Sequence, residues 1–202
     1  MHDGLIFLLI SPSGSGKTSI IETVLRDFQD IKRFVTYTTR NPRSGERYGI
    51  DYFFVSPNQF SLMTKTGKLV EWQKFYGQEY GSSKDELESF IKGEIDGIAA
   101  YDVLGASKLK KLYPKNIVTI FVIPPPIDSI KARLTLRYGN ESEGQLRIQR
   151  FNMEMAYAGK FEYAVKNDSL EFAVEDVESI IRAERCYRRA RFIQNDSKAG
   201  VS

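Results

Sequence analysis

A lysine and a threonine at the mouth of a glycine-rich turn are the residues of this chain best suited to chemistry. The stretch "SPSGSGKT", Ser11 to Thr18, sets Lys17 and Thr18 directly after Gly14 and Gly16. Phosphoryl transfer needs positioning and charge neutralisation more than it needs a protein nucleophile. Glycines here let the backbone of Ser13, Gly14, Ser15 and Gly16 curl so that N–H groups face phosphate oxygens, and a following helix adds its positive end. Lys17 is then placed to reach the β- and γ-phosphates, and Thr18 to ligate Mg²⁺ through its hydroxyl. The pattern G-x-x-x-x-G-K-[ST] has glycine where this chain has Ser11. Pro12 restricts Ser11 to extended backbone, where serine fits without strain.

A second constellation follows in "TYTTRNPRSGERYGIDYFF", which carries Arg40, Arg43, Glu46 and Tyr52. Two arginines and a tyrosine close together suit a phosphate monoester, because the guanidinium fork matches phosphate oxygens. Downstream, "VEWQKFYGQEYGSS" adds Glu71, Tyr80 and Ser82. A pocketed carboxylate accepts from the N1–H and N2–H₂ of guanine, a donor pair that adenine lacks.

These residues need elements to position them. "LIFLLI" is continuous and apolar, as expected of a strand buried on both faces. "TSIIETVLRDF" has helical spacing, so strand, turn and helix open an α/β nucleotide-binding fold. From Phe34 to about Asp96 the pattern changes to short strands ("RFVTYTT", "DYFFV", "LVEWQKF", "EYG"), with a helix at "PNQFSLMTKTG". A further helix, "SKDELESFIKG", starts at a capping serine and stops at Gly93. This predicts a small mixed α+β domain, residues 34–96, inserted into a core made of 1–33 and 97–202. The core pattern returns in "GIAAYDV", "LGASKLKKLY" and "NIVTIFVI". A helix "IDSIKARLTLR" follows the prolines, and the polar segment at about 138–146 reads as a lid. "LRIQRFNMEMAYAG" is helical, "YAVKN" a last strand and "FAVEDVESIIRAERCYRRARF" a long terminal helix. Residues 194–202 read as a disordered tail. The fold class is a parallel sheet flanked by helices, with the inserted domain and the lid.

Composition narrows the function classes. The chain has 202 residues, 42% hydrophobic and 27% charged, the balance of an ordinary soluble domain. A net charge of +3 does not point to nucleic acid. The basic run "RAERCYRRAR" reads as a solvated helix face whose cations suit a helix C-terminus. The only histidine is His2 and the only cysteine is Cys186, which argues against histidine acid/base chemistry and a His/Cys zinc site. A single cysteine forms no internal disulfide and fits a cytoplasmic setting. No apolar run approaches the roughly 20 residues of a membrane span, and no signal peptide is read.

From about Leu5 to Ile181 the chain closely resembles the guanylate kinases. The resemblance is carried by "SPSGSGKT", "TTRNPRSGERYGIDYFFV", "GKLVEWQKFYGQEYG" and "VKND". It implies transfer of the γ-phosphate of ATP to GMP or dGMP with Mg²⁺, by a monomer or homodimer. It places Arg40, Arg43, Tyr52 and Tyr80 on the GMP phosphate, Glu71 and Ser82 on guanine, and Thr36 where many relatives have a guanine-contacting serine. Glu46 matches a glutamate supporting the arginines, and Asp102 a residue near the acceptor nucleotide. Arg133, Arg137 and Arg147 match arginines that close over ATP, with Arg147 favoured over Arg150 by spacing. Asn167 matches a residue of the loop near adenine.

The chain departs from that family in "AYDVLG". Ala100 replaces an acid, the natural candidate for orienting Mg²⁺ through water, and Leu104 replaces a glutamine. These changes, with Ser11, leave two other classes to be weighed. One is a scaffold-type domain that binds phosphopeptides, against which Lys17, Thr18 and the lid arginines speak. The other is a kinase of another acceptor such as ribose 1,5-bisphosphate, against which Glu71 and Ser82 speak.

Overall fold

The computed structural model describes residues 3–12, 14–75, 77–93, 95–126, 130 and 150–199. Its centre is β1, Ile6–Ile10, whose five residues are all buried. The strand lies between β7 (Asp96–Tyr101) and β8 (Ile117–Ile123), parallel to both. β2 (Ile31–Arg33) and β9 (Tyr163–Lys166) complete a five-stranded sheet of order β2-β7-β1-β8-β9, parallel throughout.

Alternate residues of β1 serve opposite faces of the sheet. Leu5, Phe7 and Leu9 pack with Ile20, Ile21 and Val24 of α1 (Lys17–Asp27) and with Val174, Val177 and Ile181 of the terminal helix. Ile6, Leu8 and Ile10 pack with Leu87 of α3 (Lys84–Lys92) and with Val103, Ala106 and Leu109 of α4 (Val103–Leu112). Full burial of each such side chain contributes about 1.5–3 kcal/mol. Both faces covered by helices is the condition under which an all-apolar strand can be read.

A second sheet of four strands, ordered β4-β3-β6-β5, comes from β3 (Tyr37–Thr38), β4 (Phe53–Phe54), β5 (Leu69–Phe75) and β6 (Gln78–Ser83). Helix α2 (Pro57–Lys65) begins with a capping box between Ser56 and Gln59. Ser83 caps α3 by accepting from Glu86 N at 3.3 Å, and Gly93 ends it.

Three details differ from the sequence pattern. "RFVTYTT" is not one strand: β2 belongs to the core sheet and β3 to the second, because Phe34 is buried and bonds Ile98 O before the chain crosses over. Helix α3 lies within the stretch read as the insert, yet Leu87, Phe90 and Ile91 join the apolar cluster of the core sheet. The terminal helix α5 runs Leu170–Ala199, beyond residue 194 where a disordered tail was expected. Extending a formed helix adds a hydrogen bond per residue without a new nucleation cost, so polar composition alone does not end it. The expected lid at 138–146 lies outside the described residues.

The basic run on α5 is partly used within the chain. Arg185 donates to Asp96 at 2.6 Å and lies 3.0 Å from Asp30, and Asp96 also accepts from Leu5 N at 2.8 Å. Arg182 pairs with Glu178 at 2.8 Å and lies over the Phe28 ring.

Candidate active site

The carboxyl ends of adjacent parallel strands are where open α/β sheets bind ligands. Here β1 ends at Ile10, which pairs with Tyr101 at the end of β7. The glycine-rich turn leaves the first strand and the Tyr101–Asp102 corner leaves the second, so the two constellations meet at this edge.

In the turn, Gly14 and Gly16 have φ of 85° and 93°, values that favour glycine. Gly16 caps α1. A Cβ on Gly16 would also stand 2.5 Å from Asn167 Nδ2. That amide donates to Ser15 O at 2.5 Å, so Asn167 clasps the turn itself. The departing residue Ser11 is buried, and its hydroxyl is hydrogen-bonded to that of Ser15. Lys17 Nζ donates to Ser11 O at 2.6 Å, Ser11 Oγ at 3.1 Å and Pro12 O at 3.3 Å. Serine thus gives the lysine an acceptor that glycine would not. Ser13 lies outside the described residues.

In the loop between β3 and β4, Arg40 makes a two-pronged pair with Glu46, at 2.8 and 2.9 Å. Glu46 also accepts from Arg43 N at 2.7 Å. Burial works to raise the Glu46 carboxyl, but the Arg40 hydrogen bond and the Arg43 N–H outweigh it and hold it below the ordinary carboxylate value. Arg40 Nε is buried without a hydrogen-bond partner among the described residues. The Arg40 guanidinium lies 5.3 Å from the Tyr52 ring centroid, and the Tyr52 and Tyr80 rings meet edge-on at 6.1 Å. Burial pushes the Tyr52 hydroxyl above its ordinary range, so it remains a donor. Two arginines therefore share one brace, Glu46, and the two tyrosines lie beside Arg40. Replacing Glu46 with alanine should lower stability by about 2 kcal/mol, or several degrees in Tm, because the Arg40 pair is only 12% and 17% exposed. Thermal melts of the parent and the variant would check this.

Glu71 is 4% exposed and accepts from Ser82 Oγ at 2.6 Å. Burial raises its carboxyl to about 7, against the Ser82 hydrogen bond and with the help of Asp102. Asp102 accepts from Leu104 N at 2.8 Å and so caps α4. It also accepts from Gln73 Nε2 at 3.2 Å. Gly105 allows this crowding: a Cβ there would lie 2.9 Å from Gln73, 3.1 Å from Asp102 and 3.2 Å from Glu71. Thr36 is half-buried just before β3, and its carbonyl accepts from Phe53 N at 2.9 Å.

Sequence reasoning passed over Tyr101, Gln73, Gly105 and Glu154, and set Arg150 aside in favour of Arg147. Gln73 was accessible from alternation, since it shares a strand face with Glu71. Arg150 Nε donates to Glu154 at 2.5 Å, and its guanidinium lies 3.9 Å over the Phe75 ring of β5. It thus links the helix at 150–155 to the second sheet. Arg133, Arg137 and Arg147 lie outside the described residues.

No group of three His, Cys, Asp or Glu residues able to hold a metal occurs among the described residues. Mg²⁺ bound with a nucleotide needs none, since phosphate and water oxygens fill most of its shell and one or two protein oxygens suffice. Thr18, exposed in the first turn of α1 beside Lys17, is a donor of that kind.

A parallel sheet with a glycine-rich turn after its central strand defines a P-loop α/β protein, and the second sheet brings Ser82 and Glu71 to the same edge through the Ser82–Tyr101 hydrogen bond. The family model for guanylate kinase matches residues 4–184. The chain is 37% identical over 187 residues to a guanylate kinase of Desulfitobacterium hafniense (strain Y51), covering 92% of each chain. It is 35% identical to one of Wolbachia pipientis wMel, covering 91% of this chain and 92% of that one. The crystal structure of guanylate kinase from Anaplasma phagocytophilum superposes with a TM-score of 0.76 at 26% identity, covering 91% and 87% of the two chains. The chain belongs to the guanylate kinase family. Among the described residues, no helix is long and apolar enough to cross a membrane.

Proposed function

We propose that this chain transfers the γ-phosphoryl group of ATP to GMP, and to dGMP, giving GDP or dGDP and ADP. The observation that carries the reading is Glu71, a buried carboxylate held by Ser82 at the edge where the phosphate loop emerges. In this reading residues 34–96 hold the acceptor, with Arg40, Arg43, Tyr52 and Tyr80 on its phosphate, Glu71, Ser82 and Thr36 on guanine, and Asp102 alongside. Residues 1–33 and 97–202 hold ATP. The turn's N–H groups bind its phosphates, and Asn167 keeps the turn in shape. Lys17 leaves the Ser11 and Pro12 carbonyls for the β- and γ-phosphates. Arg133, Arg137 and Arg147, with the lid at 138–146, close over ATP and exclude water. Thr18 would hold Mg²⁺, which when bound with ATP neutralises phosphate charge. No general base is required, because the GMP phosphate is already an anionic nucleophile at neutral pH. The same reading makes the protein cytoplasmic, a monomer or homodimer, with no nucleic-acid partner.

The test is ADP formation from Mg-ATP with GMP, dGMP, AMP, UMP and ribose 1,5-bisphosphate offered separately. Turnover confined to GMP and dGMP supports the reading. Turnover with the sugar bisphosphate alone would reassign the acceptor. A folded protein that binds GMP without turnover with any acceptor would make this a binding module in which Ser11 and Ala100 matter.

A further inference from the structure

Tyr101 is a phenol at the carboxyl end of β7, after the apolar residues Ile98, Ala99 and Ala100. It is 7% exposed, and its hydroxyl is hydrogen-bonded to Ser82 Oγ. Ser82 is fully buried and donates its one proton to Glu71 Oε1 at 2.6 Å. A carboxylate only accepts, so the Ser82 proton is committed to Glu71, and Ser82 in turn can only accept from Tyr101. The three groups form a chain of one polarity, Tyr101 to Ser82 to Glu71. Each hydrogen bond in such a chain strengthens the next. Burial pushes the Tyr101 hydroxyl well above the phenol range, which keeps it a donor.

We propose that Tyr101 is a specificity-positioning residue, whose hydroxyl acts through Ser82 to fix Glu71 as the acceptor for the N–H groups of the guanine base. The inference rests on the proposed reading of Glu71 and Ser82 as guanine readers and names a residue behind them. Tyr101 does not touch the base in this scheme. It fixes the Ser82 rotamer and proton, and so the carboxylate oxygen that the base must share. The charged and titratable groups facing Glu71 are few. Asp102 at the start of α4 opposes its negative charge and Lys108 on the same helix favours it. Glu86 of α3 acts on Tyr101 from the other side. Of the hydrogen bonds to the carboxylate, that of Ser82 supports the charged form most and that of Gln73 less.

The experiment compares the full-length parent with Tyr101→Phe, Ser82→Ala, the double variant and Glu71→Gln, with GMP as the varied acceptor. Tyr101→Phe should raise the KM for GMP about threefold to tenfold, the loss expected for one neutral hydrogen bond. The kcat and the KM for ATP should hold. The midpoint of the pH dependence of GMP affinity should move upward, because the charged form of Glu71 loses support. On a Ser82→Ala background, Tyr101→Phe should change GMP affinity little, since the intermediary is gone. An unchanged KM and pH midpoint in Tyr101→Phe would overturn the proposal. So would fully additive effects in the cycle, or an equal loss in the ATP and GMP parameters, which would mark a merely structural phenol. If Glu71→Gln itself leaves GMP affinity intact, the guanine-reader assignment fails first and takes this inference with it.

Discussion

Lys17→Ala should lower kcat by roughly a thousandfold or more while the protein remains folded. The lysine sits in the first turn of α1, its ammonium bonded to the Ser11 and Pro12 carbonyls and to the Ser11 hydroxyl. Those carbonyls lie in a turn already shaped by Gly14, Gly16 and the Asn167 clasp, so losing the ammonium costs about 1 kcal/mol of stability. Among the described residues, the other nearby cations are already engaged: Arg40 is braced by Glu46, and Arg150 is engaged with Glu154 and Phe75. A transferring phosphoryl group would then lose the cation that sits in the loop itself. A far-ultraviolet spectrum and a thermal melt would verify the fold, and coupled ADP release would measure the rate. Activity within tenfold of the parent would remove the loop from the mechanism.

How much of this was legible without coordinates depended on the range of the interactions. The loop and its flanking elements were legible, because an all-apolar strand, two glycines and an amphipathic helix are local signals. The terminal "VKND" was legible as a motif, but the amide of Asn167 on the Ser15 carbonyl was not, since the two residues are 152 positions apart. Arg40, Arg43 and Glu46 were legible because their brace spans six residues. Tyr101 was hidden for the opposite reason. In "GIAAYDV" it reads as one more core residue, and only the crossing of β6 over the end of β7 gives its hydroxyl a partner. The switch of "RFVTYTT" from one sheet to the other was hidden too, because strand propensity is the same on both sides of Phe34.

Glu71→Gln should raise the KM for GMP by on the order of a hundredfold and collapse the preference for GMP over AMP, while the KM for ATP holds. The amide cannot accept from both guanine N–H groups, and its NH₂ meets a donor with a donor. In the parent, burial has raised the Glu71 carboxyl to about 7, so GMP affinity should fall as pH drops through 7, where the carboxylate gains a proton. The variant should lack that dependence. Stability should move the other way. The folded state holds a proton on Glu71 between about 4.5 and 7 that the unfolded chain has released, so apo stability declines as pH rises through that window. Above pH 7 the shift of the carboxyl from 4.5 to about 7 corresponds to a penalty of about 3 kcal/mol. Removing the charge removes the penalty. The apo Tm of Glu71→Gln at pH 8 should therefore exceed the parent's by several degrees, and the gap should close at pH 5. Saturating GMP should close most of that gap at pH 8, because a hundredfold tighter affinity gives the parent about 2.7 kcal/mol more ligand stabilisation than the variant. Melts of both proteins at the two pH values, with and without GMP, would separate a carboxylate kept for recognition from one kept for the fold. A variant that melts lower at pH 8 and still selects GMP over AMP would show Glu71 to be a structural group.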